Sequence, residues 1–370
     1  MEDCTYAAEH NLILELCRFM QPDRGKIAEY LQQSLHWPYI LGQLLFHRVG
    51  GAAYYTLDAC NLLGKIHREC RNTLKTVYDS NVVKSASMKE ALEEVGSLLQ
   101  NVSFPYALLK GAYLVWLYPV GLRTSNDVDI LINQGDITAI EEKLKQAGFV
   151  QGNVRSGTFV PASRKEIIAS RMNRGETVPF IKQAGLPQMD FLEMDINFSL
   201  DFAAKQKNDA VSMLLRHAQP LIPTREAFLY TLEPVDFLIH LCCHLFKEAT
   251  VYAWVAMERD LSLYKFMDLY MLIHKWTDAS WYSALEASIR AYGLERECYY
   301  ALRGTKELFG IENVFLDRLL LSICPSNISY LQSVMQPDTG KTYCYKESFV
   351  DWVFMSKKKE KLYETADETP

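Results

Sequence analysis

Residues 108–132, LLKGAYLVWLYPVGLRTSNDVDILI, decide the fold class that the sequence predicts. A short apolar run, 106–109, is closed by Gly111, as in a buried strand that ends in a turn. The next apolar segment stops before Pro119 and predicts one helix. The last segment alternates acidic and aliphatic residues from Asp127 and then becomes wholly apolar. This pattern is typical of a strand whose end opens onto a site.

Acidic side chains recur at alternating positions of two predicted strands. Asp127 and Asp129 share one face of the first strand, because side chains in a strand alternate with a period of two. Glu193, Asp195 and Asn197 share one face of the second. Grouped carboxylates repel one another and lose hydration, and a divalent cation removes that cost. Because Mg²⁺ prefers oxygen ligands, the acids predict a magnesium site.

Phosphate-binding groups precede the acids. Gly111 lets backbone amides approach a phosphate, the following helix adds a partial positive charge, and Lys110 adds a full one. The predicted nucleotide-binding set is Lys110, Gly111, Ala112, Arg123 and Ser125. A D-x-D strand alone, or a K-G turn alone, is common. The joint order of strand, K-G, helix, R-x-S-x-D-x-D strand, helix and acid-bearing strand is much more specific.

This joint pattern resembles the polymerase-beta-like nucleotidyltransferase superfamily. More narrowly, LKG, the YP near the helix end and the arginine before D-V-D are similar to the family of uncharacterised nucleotidyltransferases. Three departures matter. The spacing from Gly111 to Asp127 is at the long end for the superfamily. Gly111-Ala112 stands where the superfamily usually has Gly-Ser, so the phosphate contact of that serine falls to another group, with Lys110 as the candidate. Asn197 stands where a histidine is often found.

The resemblance implies an α+β fold, with a nucleotidyltransferase core flanked by N- and C-terminal helical regions. It implies that a nucleoside monophosphate passes from a nucleoside triphosphate, with ATP expected, to a small-molecule, peptide or protein acceptor. The cofactor would be Mg²⁺ or Mn²⁺ in a two-metal mechanism. Asp127, Asp129 and Asp195 would be both metal ligands and catalytic residues. The alternative is a weak or inactive nucleotide-binding or interaction module that keeps the fold.

Three further residues are candidates for a substrate cleft, together with Glu193 and Asn197. They are His240, His244 and Asp268, on predicted C-terminal helices that also resemble segments of the family. Histidines four residues apart on a helix can bind zinc, but here the H-E-x-x-H glutamate and an evident third ligand are missing. A metal hydrolase is therefore disfavoured.

The distribution of apolar and polar residues along the sequence predicts four regions. They are a helical region at 1–100, the α/β core at 101–202, a helical domain at 203–356 and a charged, solvated tail at 357–370.

Composition narrows the class of protein. A net charge of −6 over 370 residues argues against a broad basic surface for nucleic acid. Nine scattered cysteines without a CxxC pair fit reduced thiols. The first residues lack a secretory signal pattern, and no apolar run is long enough for a membrane span. These features predict a cytoplasmic protein with neither a membrane nor nucleic acid as a partner.

Overall fold

The computed structural model describes residues 6–173, 175–200, 210–223 and 228–364. The chain divides into two compact units. The sheet unit is Asp79–His240, and the helical unit combines Met1–Tyr78 with Leu241–Pro370. The sheet unit is therefore a continuous stretch inserted into the sequence of the helical unit. Within the described ranges, no helix is both long enough and apolar enough to span a bilayer.

The N-terminal part is helical, as the sequence predicts. Its helices are α1 (Ala7–Cys17), α2 (Arg24–Tyr30), α3 (Trp37–Phe46), α4 (Gly50–Ala59) and α5 (Arg68–Leu99). α3 begins at Trp37-Pro38. Proline suits the first turn of a helix, because the N–H that it lacks would have no intrahelical partner there. The His36 ring caps α3 by accepting the Tyr39 N–H at 3.1 Å.

The sheet unit is built on one eight-stranded mixed sheet. Its strands are β1 (Tyr106–Leu108), β2 (Asp127–Ile132), β3 (Val150–Arg155), β4 (Thr158–Pro161), β5 (Phe180–Leu186), β6 (Met189–Asn197), β7 (Gln219–Pro223) and β8 (Phe228–Thr231). Their order is β4-β3-β5-β6-β2-β1-β8-β7. The β2/β6 and β1/β8 pairs are parallel, and the other pairs are antiparallel. The mixed α+β class is as predicted.

Apolar side chains of the central strands form the core of this unit. Val128 and Ile130 of β2 and Met194 and Ile196 of β6 are all fully buried. They alternate with the acids, as the period-two pattern predicts. The second half of α5 contributes to the same core, which explains why its apolar spacing was visible in the sequence.

Four helices connect these strands: α6 (Lys110–Leu117), α7 (Ile137–Gln146), α8 (Arg164–Asn173) and α9 (Ala210–Arg216). The sequence predicts α6 and α7, whereas α8 was not predicted. The start of α8 carries a reciprocal cap. The Ser163 N–H donates to Glu166 at 2.7 Å, and the Glu166 N–H donates to the Ser163 hydroxyl at 3.3 Å.

The C-terminal part contains further helices and a small sheet. The helices are α10 (Pro234–Thr250), α11 (Tyr252–Ala256), α12 (Leu263–Lys275), α13 (Ala279–Tyr292), α14 (Glu295–Phe309), α15 (Val314–Ser322) and α16 (Phe349–Phe354). The strands of the small sheet are β9 (Ser333–Gln336), β10 (Lys341–Cys344) and β11 (Tyr363–Glu364). The first residues of α10 belong to the sheet unit. The sequence predicted the helices of this region, but it did not predict the strands β7 to β11. These strands have two to five residues, too few to show a periodic pattern.

The lysine run near the C-terminus corrects a second expectation. It was predicted to be a solvated tail, and Lys357, Lys359 and Lys361 are exposed, but Lys358 is 2% exposed. Its ammonium lies 2.8 Å from the carboxylate of Asp260, which is itself 1% exposed. The burial of Lys358 depends on an acid about a hundred residues away in the chain, which no local pattern reveals.

Candidate active site

The register of β2 and β6 positions the acids. Asp127 is aligned with Glu193, and Asp129 with Asp195. Aligned residues of neighbouring strands, and residues two apart along a strand, lie on the same face of a sheet. The three predicted metal ligands and Glu193 are therefore brought to one face, while the residues between them enter the core.

Burial and mutual repulsion raise the pKa of three of these carboxyl groups. Asp129 is 3% exposed, whereas Asp195 is half-buried. Burial, followed by repulsion from Asp129 and Asp127, raises the pKa of Asp195 well above its usual range. Burial also raises the pKa of Asp129, although the Lys110 ammonium opposes that rise. Burial, together with Asp127 and Asp129, raises the pKa of Glu193 to about 7.

Three neighbouring side chains bind the acids. The Lys110 ammonium lies 2.7 Å from Asp129 Oδ1, and the Asn197 amide donates to the same oxygen at 3.1 Å. The Ser125 hydroxyl donates to Asp127 Oδ1 at 2.6 Å. Lys110 has a φ of +44°, in the left-handed region of the backbone that residues other than glycine seldom occupy. The turn that starts α6 therefore directs Lys110 at the acids.

Gly111 allows the Ser125 loop to approach this turn. A Cβ at position 111 would lie 2.2 Å from Ser125 Oγ and 2.3 Å from Ser125 Cβ, well inside contact distance. The sequence predicts Gly111 for its backbone, and the structure adds its closeness to Ser125. Ala112 is fully buried in the core, so only its backbone could meet a ligand.

The other predicted residues lie in different surroundings. Arg123 is in the loop before β2, where its carbonyl accepts the Ser85 hydroxyl at 3.1 Å and its guanidinium bonds to the Thr124 carbonyl. His240 is 5% exposed on α10, within the sheet unit. His244, at 3.3 Å from Glu248, belongs to the helical unit.

Asp268 is buried on α12, which is also part of the helical unit. The residues that the structure brings together around the acids are thus Asp127, Asp129, Glu193, Asp195, Asn197, Lys110, Gly111 and Ser125.

The chemistry of these donors suits a divalent cation. Asp195 Oδ1 is buried and has no hydrogen-bond partner. Leaving such an oxygen unsatisfied costs free energy that a bound cation would recover. Among the residues described, however, no three Asp, Glu, His or Cys side chains are already gathered as a metal site. At Asp129 the positive charge is supplied by Lys110.

Sequence reasoning missed an aspartate–histidine pair in the same unit. Nδ1 of His217 lies 2.9 Å from a carboxylate oxygen of Asp236. Asp236 is fully buried, while the His217 side chain is 56% exposed. The two residues are nineteen positions apart and belong to no recognisable motif, so the sequence carried no signal for them.

Comparison with known proteins assigns the chain to a family. The model of the family described as uncharacterised nucleotidyltransferase matches residues 33–310. The chain belongs to this family. The resemblance predicted from the acid-bearing strands is thereby confirmed, and the match includes the whole sheet unit.

Among solved structures, a similar one is the crystal structure of an antigenic nucleotidyltransferase-like protein from Paracoccidioides brasiliensis. The similarity covers 57% of this chain and 91% of that chain, with 12% sequence identity and a TM-score of 0.34. No curated protein matches this chain.

Proposed function

We propose that this nucleotidyltransferase transfers a nucleoside monophosphate from a nucleoside triphosphate, with ATP expected, to a hydroxyl of a small-molecule, peptide or protein acceptor. The observation that carries the proposal is the aligned pair of Asp129 and Asp195, with one buried Asp195 oxygen that has no partner. Such a pair is stable in its charged form only when a cation neutralises it.

Asp127, Asp129 and Asp195 are the residues that would hold Mg²⁺ or Mn²⁺. When bound, these ions would neutralise the triphosphate and lower the pKa of the acceptor hydroxyl. Asp195 would also act as the general base that accepts the proton of that hydroxyl. Ser125 and the backbone of Gly111 form the turn that would face the phosphates.

Lys110 would carry the mobile positive charge of the site. Its ammonium neutralises Asp129 in the structure described, and it can turn to a phosphate oxygen once that carboxylate binds a cation. Lys110→Ala should weaken triphosphate affinity or turnover more than tenfold, about 1.4 kcal/mol. Lys182→Ala is the matched control, because Lys182 pairs with Glu94 on the surface of the same unit. Wild-type kinetics in Lys110→Ala would transfer the role to Arg123 or the backbone.

The function is tested by nucleotide binding and turnover. Thermal shift with each nucleoside triphosphate, with and without Mg²⁺, should show magnesium-dependent stabilisation, and pyrophosphate release should follow when an acceptor is present. Asp127→Asn and Asp129→Asn should abolish this binding. Asp127→Asn should leave the fold intact or slightly more stable, because repulsion among the acids falls, whereas Asp129→Asn also loses the buried ion pair with Lys110 and should be less stable. Asp190→Asn, at an exposed position of β6, is the control. Wild-type turnover in the double variant of Asp127 and Asp129 would refute the assignment.

A second function is favoured by one observation. Lys110 already neutralises Asp129, and the described residues contain no pre-assembled set of three metal ligands. A nucleotide-binding module without catalysis would have the same features. Tight binding of a triphosphate without pyrophosphate release, across a range of acceptors, would favour this second function.

A further inference from the structure

Two strand–helix connections lie side by side in the sheet unit. β1 leads into α6, and β8 leads into α10. The two strands are parallel, with Leu108 aligned with Thr231, and the Thr231 hydroxyl donates to the Leu108 carbonyl at 2.8 Å. Both helices therefore begin at the ends of these strands, next to the start of β2, where the acidic side chains lie.

The first turns of these two helices are in contact. The ring of Tyr113 on α6 meets the ring of Phe237 on α10 edge to face, with centroids 4.7 Å apart. The N-terminus of α10 is therefore a direct neighbour of the Lys110–Gly111 turn. The start of α10 is therefore close to the place where that turn would bind a ligand.

The pair of His217 and Asp236 occupies this position. Asp236 is in the first turn of α10. β7 begins at Gln219, which is aligned with Thr231. His217, two residues earlier, therefore lies at the same end of the strands. From β1 to β7 there are two strand spacings, roughly 10 Å. A polyphosphate and a lysine side chain can bridge that distance together.

The orientation of the His217 ring is fixed by the buried carboxylate. Because Nδ1 faces Asp236, Nε2 is on the opposite side of the ring, and more than half of the side chain is exposed. In its protonated form, the ring carries a charge that Asp236 balances and an Nε2–H that can donate to a phosphate oxygen. The second carboxylate at this helix start, Glu233, accepts the Asp236 N–H at 3.3 Å.

We propose that His217 binds the terminal phosphates of the nucleoside triphosphate and that Asp236 is its positioning residue. The proposal rests on the proposed function, in which the inner phosphates lie at Lys110 and Gly111. It makes the site selective for triphosphates over monophosphates, because only a triphosphate reaches both strand–helix connections. The pyrophosphate that leaves in the reaction would be bound at the same place.

Calorimetric titration of the full chain with ATP, AMP and inorganic pyrophosphate, each with Mg²⁺, tests this assignment. The titrations use mildly acidic buffer, in which imidazole side chains carry a proton. One charge-assisted hydrogen bond is worth about tenfold or more in affinity. His217→Ala should therefore weaken ATP and pyrophosphate binding about tenfold and leave AMP binding unchanged. His217→Lys, which keeps a positive charge, should retain most of the preference for ATP.

His67→Ala is the control, because His67 is exposed in the helical unit. Asp236→Asn should give a smaller loss than His217→Ala, provided that its thermal unfolding matches the wild type. An unchanged ratio of ATP to AMP affinity in His217→Ala would overturn the proposal for His217 alone. A wild-type protein that binds none of the three ligands would overturn the proposed function as well.

Discussion

Gly111 is the position where one added methyl group tests both the packing and the chemistry of the site. In Gly111→Ala, the new Cβ would lie 2.2 Å from the Ser125 hydroxyl oxygen, so Ser125 must move. That movement breaks its 2.6 Å hydrogen bond to Asp127. A hydrogen bond to a charged group contributes roughly 1.5–3 kcal/mol. Alanine regains up to about 1 kcal/mol in a helix, so the free energy of unfolding should fall by about 0.5–2 kcal/mol.

Urea denaturation measures this change, and a second substitution isolates its cause. In a Ser125→Gly background the obstructing side chain is absent, so Gly111→Ala should cost nothing there. The coupling energy between the two substitutions should therefore be about 1 kcal/mol or more. Gly42→Ala is the control. Gly42 is exposed in the middle of α3, where an added Cβ would have nothing within 4 Å, and the substitution should stabilise the protein by up to about 1 kcal/mol.

Triphosphate affinity should fall with stability in Gly111→Ala, because the displaced Ser125 belongs to the turn that faces the phosphates. The reasoning would be refuted by a Gly111→Ala variant that is as stable as the wild type and binds triphosphate equally well. Zero coupling with Ser125→Gly would refute the steric explanation specifically.

Two other perturbations follow from buried charges. Lys358→Ala should lower the free energy of unfolding by about 3–5 kcal/mol, because it leaves Asp260 buried and unpaired. Lys359 is exposed, so Lys359→Ala should change the free energy of unfolding little. Equal effects of the two substitutions in urea denaturation would contradict this prediction. The folded-state pKa of Glu193 is raised from 4.5 to about 7, so the folded protein binds the extra proton in that window and its stability should decrease as pH rises from about 4.5 to 7. Glu193→Gln should flatten this slope in pH-dependent thermal unfolding, and an unchanged slope would assign it to other acids.

The sequence was informative where each segment carries its own pattern. The alternation of acids and aliphatic residues in β2 and β6 requires no knowledge of the rest of the chain, and it predicted which side chains share a face. It could not predict the register that aligns Asp129 with Asp195, although two acid-bearing strands made their neighbourhood a reasonable hypothesis. The fold class followed from the same few segments.

Features that depend on distant partners were not predictable. β8 is a strand because β1 offers it an edge, and its four residues show no pattern by themselves. The pair of His217 and Asp236 depends on the alignment of β7 and β8, so it too exists only in three dimensions. The cap at Ser163 and Glu166 is the exception, because S-x-x-E was visible in the sequence and could have predicted α8.

The interrupted sequence of the helical unit has a consequence for biosynthesis. On the ribosome, the N-terminal helices emerge first, but some of their partners are encoded near the end of the chain. His10 stacks on Phe354 with ring centroids 4.1 Å apart, and Phe19 meets Tyr270 at 6.2 Å. The inserted sheet unit is synthesised completely before Phe354. Until then, the apolar faces of the nascent N-terminal helices lack these partners and stay uncovered. During this interval the nascent chain is most prone to aggregation through its uncovered apolar faces, and it depends most on chaperones.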